Sequence, residues 1–310
     1  MATVAKPSPA DRLPGLRGMT RKERRESLEA LAFLSPWLIG LLLFTGGPVL
    51  ASAVLSFFEY DAITAPTFTG LGNYRHLFED KLLFKSLINT GIYAVLYIPC
   101  AVCMALGMAM RLSKALPGMR VFRTIFYLPT LTQGVATFTL WAFVFEPGVG
   151  PLNRGLRAMG ISNPPDWLND PAWTKPALVL MAIWSVGGMM LIFLAGIQNI
   201  PAQLYEAAEI DGAGPLSRFR NVTVPMLSPT IFFNMVISTI GAFQVFAAAW
   251  ILTGVGPRQS TLFYVYHLWK KAFEEFAMGY ASAMAWLLFG IVLVLTLFQM
   301  WAGKKWVHYE

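Results

Sequence analysis

The sequence predicts an all-α integral membrane protein with six transmembrane helices, and two observations lead to that fold class. The first is composition: 56% of the 310 residues are hydrophobic and 13% are charged, which leaves too few polar residues to cover a water-soluble globule. The second is the placement of the charges, which leave six long stretches without any Asp, Glu, Lys or Arg. These stretches are continuously apolar and rich in Leu, Ile, Met, Phe and Ala, a pattern that predicts helices rather than alternating strands.

Each of the six stretches is long enough to cross the hydrocarbon core of a bilayer, which takes about 20 residues of α-helix. We therefore predict a six-helix transmembrane domain over 30–304, between a basic tail over 1–29 and a short tail over 305–310. The predicted spans are, in order, 31–57, 87–110, 122–145, 177–199, 224–252 and 279–303.

The distribution of Lys and Arg predicts the orientation of these spans. If the N-terminus is inside, the segments on that side carry 15 Lys and Arg, whereas the longer loops on the other side carry 9. The positive-inside rule then places both termini in the cytoplasm. The net charge of +7 is interpreted as this orientation signal. A nucleic-acid partner is not predicted, because the basic residues are neither clustered in one domain nor interleaved with aromatic residues.

Apart from Arg123 at the very start of the third, the predicted spans contain no charged residue, and His76, His267 and His308 are predicted in loops or the tail. Ion-driven transporters usually hold ionisable groups at membrane depth, so ion coupling is disfavoured, although backbone carbonyls remain able to bind Na⁺. The chain has no G-x-x-x-x-G-K-[ST] phosphate loop and no Ser/His/Asp arrangement for hydrolysis, so we do not predict an enzyme. Cys100 and Cys103 lie within an apolar span, which predicts packing residues rather than a metal site.

Two alternatives follow for the source of energy. A transport protein without its own ATPase or ion site needs a partner that supplies the energy, and that partner needs a docking surface on the cytoplasmic side. A stand-alone secondary transporter or facilitator is the alternative.

One charged connector, over 201–223, lies between the fourth and fifth predicted spans. Pro201 opens a short helix through Ile210 with Glu206 on its polar side. Gly212 and Gly214 permit a sharp turn, and a second short helix is predicted from Pro215 to Asn221. The pattern fits either a projecting helical knob or an amphipathic loop resting on the membrane surface. We call residues 201–223 the coupling loop, for the reason that follows.

The coupling loop resembles the signature loop of permease subunits of binding-protein-dependent ABC importers, E-A-A-x3-G-x9-I-x-L-P. The matching residues are Glu206, Ala207, Ala208, Gly212 and Pro225, with Val222 and Val224 in place of Ile and Leu. The resemblance continues through FTGLGNYRHLF (68–78), FRTIFYLP (122–129), LIFLAGIQNIP (191–201), GAFQVF (241–246), LTGVGP (252–257) and MGYASAMAW (278–286). Together these motifs resemble the sugar-importing, maltose-system branch of that family.

The resemblance implies a type I ABC importer permease fold in which the coupling loop docks in a groove of a separate ATPase subunit. The residues expected there are Glu206, Ala207, Ala208, Asp211, Gly212 and Pro225. The implied partners are a second permease subunit, two copies of the ATPase, an extracytoplasmic sugar-binding protein and the lipid of a bacterial inner membrane. ATP and Mg would be bound by the ATPase, with no cofactor in this chain.

Polar residues within the later spans are the candidates for the substrate path, since hydroxyls and amides suit sugar hydroxyls and aromatic faces suit sugar rings. They are Thr130 and Gln133 after Pro129, a predicted helix breaker, then Trp184, Ser185, Asn234, Ser238 and Gln244. The alternative is that these side chains only bridge transmembrane helices.

Five charged residues in predicted external loops, Asp61, Glu79, Asp80, Lys270 and Lys271, are candidates for contacts with the binding protein. Exposed charges of this kind are otherwise simply solvated.

Overall fold

Helices account for nearly all of the regular structure. The computed structural model describes residues 21–114, 116–132 and 134–307, and it divides the chain into two units, 1–54 and 55–310. Most of the tail predicted over 1–29, together with Gln133 and residues 308–310, therefore lies outside the described residues.

The first unit consists of one interrupted apolar helix. Helix α1 (Arg21–Leu41) continues through a π-helical turn (Leu42–Gly46) into α2 (Gly47–Leu55). The wider turn lies next to Pro48, which has no N–H to donate to the preceding turn. Arg24–Leu55 is long and apolar enough to cross a membrane.

The second unit begins with a two-residue hairpin and continues as a series of helices. Strands β1 (Phe58–Glu59) and β2 (Thr67–Phe68) pair antiparallel, with Phe58 opposite Phe68. The helices are α3 (Gly72–Glu79), α4 (Lys81–Leu112), α5 (Met119–Leu131), α6 (Val135–Val144), α7 (Pro151–Ala158), α8 (Thr174–Trp184), α9 (Gly187–Gln198), α10 (Ala202–Ile210), α11 (Pro215–Arg218), α12 (Val224–Met226), α13 (Ser228–Phe243), α14 (Ala247–Leu252), α15 (Tyr264–Trp269) and α16 (Met278–Gly303). Two further π-helical turns, Phe219–Thr223 and Lys270–Glu274, and a 3₁₀ turn, Pro257–Gln259, complete the set.

Helix α4 is the element around which the second unit packs, because it contacts α8, α9 and α13. Ala101, Ala105 and Ala109 repeat every four residues and therefore lie on one face, where all three are fully buried. Met190 and Phe193 of α9 pack against this small-residue face. Close approach of helices through small residues is the packing mode of membrane proteins. Cys100 and Cys103, predicted as packing residues, are both exposed in this chain.

Three helices satisfy the length and apolarity of a membrane span: Arg24–Leu55, Lys81–Leu112 and Met278–Gly303. Two helix pairs reach that length only together, because α8 and α9 meet at 52° and Pro215–Met226 meets α13 at 67°. The predicted third span is divided into α5 and the short α6, and α14 is separate from α13. The all-α membrane fold is confirmed, and the count and bounds of six spans stay predictions.

A polar cluster at the start of α4 corrects two expectations from the sequence. The Asp80 carboxylate caps α4 by accepting from the Leu82 and Leu83 N–H groups, at 2.8 and 3.2 Å. It also accepts from His267 Nε2 at 3.1 Å and from the Tyr280 hydroxyl at 2.9 Å. His267 therefore lies buried in α15 rather than in a loop, and Asp80 is committed to these internal bonds instead of an exposed docking contact. His76 likewise lies in a helix, α3.

Candidate coupling loop and substrate path

The coupling loop folds as two short helices joined by a tight turn. Pro201, in an extended conformation, precedes α10, which is the position where a missing N–H costs nothing. The helix ends at Ile210 with Asp211 as its C-cap, and Gly212 follows with φ +76°, a conformation that favours glycine. The N–H of Ala213 returns to the Ala208 carbonyl at 2.8 Å, which closes the end of the helix.

Two side-chain contacts fix the two arms of the loop against each other. The Tyr205 hydroxyl lies 3.0 Å from the Thr223 hydroxyl. Arg218 donates to the Glu209 carboxylate at 3.2 Å, which ties α10 to α11. In contrast, Glu206 forms no ion pair within the described residues, so its exposed carboxylate remains available for a partner.

The outward side of the coupling loop is exposed and partly apolar. Its exposed positions include Glu206, Ala207, Asp211 and Gly212, while Ala208 and Pro225 are half-buried. Ile210 is 87% exposed and Leu216 is 78% exposed, so apolar side chains project alongside the carboxylates. A surface of small and apolar residues with a free carboxylate is suited to docking in a groove of another protein.

The second arm of the coupling loop is continuous with the following bent span. A separate short helix was predicted from Pro215 to Asn221, but helical structure continues from α11 through the π-helical turn Phe219–Thr223 to Met226. The wider turn precedes Pro225, which cannot donate to the preceding turn. A force applied to the loop is therefore applied directly to the helix that enters the span.

A cavity of about 250 Å³ lies where several helices of the second unit are interrupted. It is lined by residues of α4, α6, α8, α13 and α14, together with Ser185 between α8 and α9 and Val245 between α13 and α14. The lining includes Tyr93, Tyr97, Phe138 and Trp184. Interrupted helices around a polar and aromatic cavity are typical of membrane proteins that bind a solute at depth. We call this space the aromatic cavity.

Two of the predicted substrate-path residues line the aromatic cavity, and the others lie elsewhere. Trp184 and Ser185 are in its wall. Thr130 does not line the cavity. Its hydroxyl accepts from the Gly188 N–H and donates to the Ser185 carbonyl, each at 3.2 Å. Thr130 thus bridges α5 to α9. Its helix also continues past Pro129 to Leu131, so the prediction of a helix break at that proline was wrong.

The remaining candidates are on or after α13. Asn234 is buried and donates to the Thr230 carbonyl at 3.0 Å. Ser238 is also buried, and its hydroxyl has no hydrogen-bond partner. Gln244 is exposed at the end of α13. The fold therefore does not bring Asn234, Ser238 and Gln244 into the wall of the aromatic cavity, and their part in transport stays a prediction.

Sequence reasoning missed Tyr93 and Tyr97, which line the same cavity. Their rings stack in parallel, with centroids 5.6 Å apart and planes 3° apart. The sequence contains a pattern that could have predicted them. Two tyrosines four residues apart lie on one face of a helix, and each brings a hydroxyl into an apolar span.

These features define a class of protein: a multi-pass, all-α membrane protein with interrupted helices around a cavity and a projecting polar loop. Residues 97–307 match the family described as binding-protein-dependent transport system inner membrane component, and the chain belongs to that family. It is the permease subunit of an ABC importer, a transport component and not an enzyme.

Individual proteins agree with this family over almost the whole chain. The chain is 41% identical to the probable ABC transporter permease protein YesP of Bacillus subtilis, over 94% of this chain and 95% of that one. It is 35% identical to the lactose transport system permease protein LacF of Rhizobium radiobacter, over 88% and 93%. A chain of a bacterial ABC transporter involved in alginate import has the same fold, with a TM-score of 0.80 over 92% of this chain and 98% of that one, at 22% identity.

Proposed function

We propose that this permease carries a carbohydrate into the cytoplasm, driven by separate ATPase subunits that dock on the coupling loop. The observation that supports this proposal is the loop itself. Its two arms are held together by the Arg218–Glu209 and Tyr205–Thr223 contacts, while Glu206, Ala207 and Ile210 remain exposed. A loop that rested flat on lipid would not need an internally braced, outward-facing acidic helix.

Each residue of the loop has a distinct part in the proposed docking. Glu206 pairs with a basic residue of the ATPase and fixes the register of α10 in its groove. Ala207 and Ala208 permit close approach of the helix. Gly212 makes the turn between the arms, and Asp211 ends α10 next to it. Pro225 lies where the second arm continues into the span, so movement of the ATPase reaches the transmembrane helices through it.

The transport cycle is alternating access between two permeases. A second permease subunit completes the path, two copies of the ATPase bind ATP and Mg, and an extracytoplasmic binding protein delivers the substrate. Both termini lie in the cytoplasm of a bacterial cell, on the same side as the coupling loop. ATP-driven closure of the ATPases pulls on the loop, and because α11 is continuous with the helix to Met226, the span moves with it.

A carbohydrate is supported by two observations of different kinds. The relative LacF is named for lactose transport. Independently, Trp184 and Ser185 bring an indole face and a hydroxyl to the aromatic cavity, the groups that suit a sugar ring and its hydroxyls.

The docking is tested with Glu206→Lys in the complex purified from native membranes. We expect the ATPase to be lost from the complex or its hydrolysis to be uncoupled from uptake, with at least a tenfold loss of ATP-dependent transport. Glu29→Lys, which makes the same charge change on α1, is the control and is expected to leave both readouts unchanged. Normal coupling in Glu206→Lys would refute the assigned role of that carboxylate.

A further inference from the structure

We infer that Tyr93 and Tyr97 form, with Trp184, a subsite for one uncharged sugar ring in the aromatic cavity. This inference rests on the proposed carbohydrate function and goes further, since it names the residues that hold the ring and predicts that the ring is neutral. Three properties of the cavity support it: its size, its polarity and the state of the tyrosine hydroxyls.

The size of the cavity fits a single ring. Its volume is about 250 Å³. Pockets for drug-sized ligands hold roughly 300–1,000 Å³, so the volume of this cavity matches one sugar ring better than an entire oligosaccharide.

The walls of the cavity present aromatic faces and neutral polar groups. Tyr93 and Tyr97 stack on each other along α4, and Trp184 holds an edge-to-face contact with Trp141 at 5.8 Å. Ser185 adds a hydroxyl from the interruption between α8 and α9. No Asp, Glu, Lys, Arg or His is among the described residues that line the cavity. A carboxylate or phosphate would therefore be buried without a counter-charge, at a high desolvation cost.

The tyrosine hydroxyls are free to bind a ligand. Tyr93 is 5% exposed, and its ring packs against Phe263 with centroids 5.3 Å apart. Within the described part of the chain, neither the Tyr93 nor the Tyr97 hydroxyl has a hydrogen-bond partner, and neither is among the fully enclosed side-chain atoms that lack one. Both hydroxyls are therefore accessible, and a sugar hydroxyl in the cavity can donate to them or accept from them.

The test uses the complete complex, purified from native membranes and reconstituted into liposomes with ATP inside and the binding protein outside. Uptake is measured with radiolabelled glucose, galactose, rhamnose, lactose and maltose as neutral probes. Galacturonate and sn-glycerol 3-phosphate are the acidic probes. The variants are Tyr93→Phe, which keeps the ring and removes only the hydroxyl, and Tyr97→Leu, which removes the ring. Tyr127→Phe makes the conservative change outside the cavity wall and is the control.

We expect the wild type to take up a neutral probe, and Tyr93→Phe to raise the KM for it about three- to tenfold, the effect of one lost neutral hydrogen bond. Tyr97→Leu is expected to reduce uptake further, while ATP hydrolysis without substrate stays as in the wild type. Tyr127→Phe should match the wild type.

Three outcomes would overturn the inference, and they are distinguishable. If a neutral probe is taken up equally well by the wild type and both variants, the subsite is refuted while the carbohydrate function stands. Uptake of an acidic probe alone removes the predicted neutrality of the ring. ATP-dependent uptake of no probe at all contradicts the carbohydrate function itself, and the subsite with it.

Discussion

Replacing Asp80 by alanine is predicted to be among the most destabilising single changes in this chain. The substitution removes the N-cap of α4, worth about 1 kcal/mol. It also leaves His267 and Tyr280, which are 2% and 6% exposed, without their shared acceptor. Each buried neutral donor left without an acceptor costs about 1–3 kcal/mol. The expected total loss is about 3–7 kcal/mol in the free energy of unfolding.

The measurement is chemical denaturation of the detergent-solubilised chain, followed by tryptophan fluorescence. Asp61→Ala is the matched control, because Asp61 also accepts from two backbone N–H groups, those of Ile63 and Thr64, but through exposed hydrogen bonds. We expect a much smaller effect there. If Asp80→Ala were no more destabilising than Asp61→Ala, the cluster that joins α4, α15 and α16 would not contribute as proposed.

The same cluster predicts how stability depends on pH. Burial pushes the pKa of Asp80 upward, but the hydrogen bonds from His267 and Tyr280 outweigh it and lower the pKa to about 2. Its contribution is therefore present above pH 3.8 and is lost as the pH falls towards 2. Burial lowers the pKa of His267 below 6.5, with the bond to Asp80 opposing the shift and the charge of Lys271 adding to it. As the pH falls below 6.5, His267 is protonated more readily in the unfolded chain than in the folded one, so the free energy of unfolding decreases. Asp80→Ala should alter both the His267 part and the Asp80 part of this pH profile.

Two glycine pairs give further predictions, each with its own control. In α16, a Cβ at Gly279 would overlap the carbonyl oxygen of Phe58, so Gly279→Ala is expected to lower the free energy of unfolding by about 1–3 kcal/mol. Gly290→Ala on the same helix meets no atom within 4 Å and should cause no loss in the same denaturation assay; equal losses would refute the close packing. In the coupling loop, Gly212→Val forces a β-branched residue to φ +76° and is expected to abolish ATP-coupled uptake while the chain still inserts. Gly214→Val, at φ −69° with open space, is the control, and normal coupling in Gly212→Val would contradict the required turn.

The sequence predicted those parts of the fold that depend on local composition. The absence of charge between Lys85 and Arg111 predicted the helix that proves to be α4, and Pro201 and Gly212 predicted the start and end of α10. Bends were not predicted in the same way. The 52° angle after Trp184 lies at Ser185 and the Gly187-Gly188 pair, and Gly/Ser pairs are a common site of helix kinks. Their presence does not fix the angle, which depends on how α9 packs against its neighbours.

Contacts between distant residues were the other part that the sequence could not reveal. Asp80 and His267 are 187 positions apart, so nothing in their local sequence distinguishes them from solvated loop residues. The sequence predicted that polar and aromatic side chains of the later spans line a substrate path, and two of them, Trp184 and Ser185, do line the aromatic cavity. The tyrosines of α4 were not predicted, because the residues that line the cavity depend on which face of each helix is turned towards it, and the sequence does not reveal that.

The most direct test of the account compares uptake by this chain alone with uptake by the complex from native membranes. Both are reconstituted into liposomes and tested with the same radiolabelled neutral sugars, with and without ATP inside, and far-ultraviolet circular dichroism confirms that the isolated chain is helical. We expect ATP-dependent uptake by the complex and none by the chain alone. Uptake by the chain alone without ATP would contradict the importer function and would identify the protein as a facilitator.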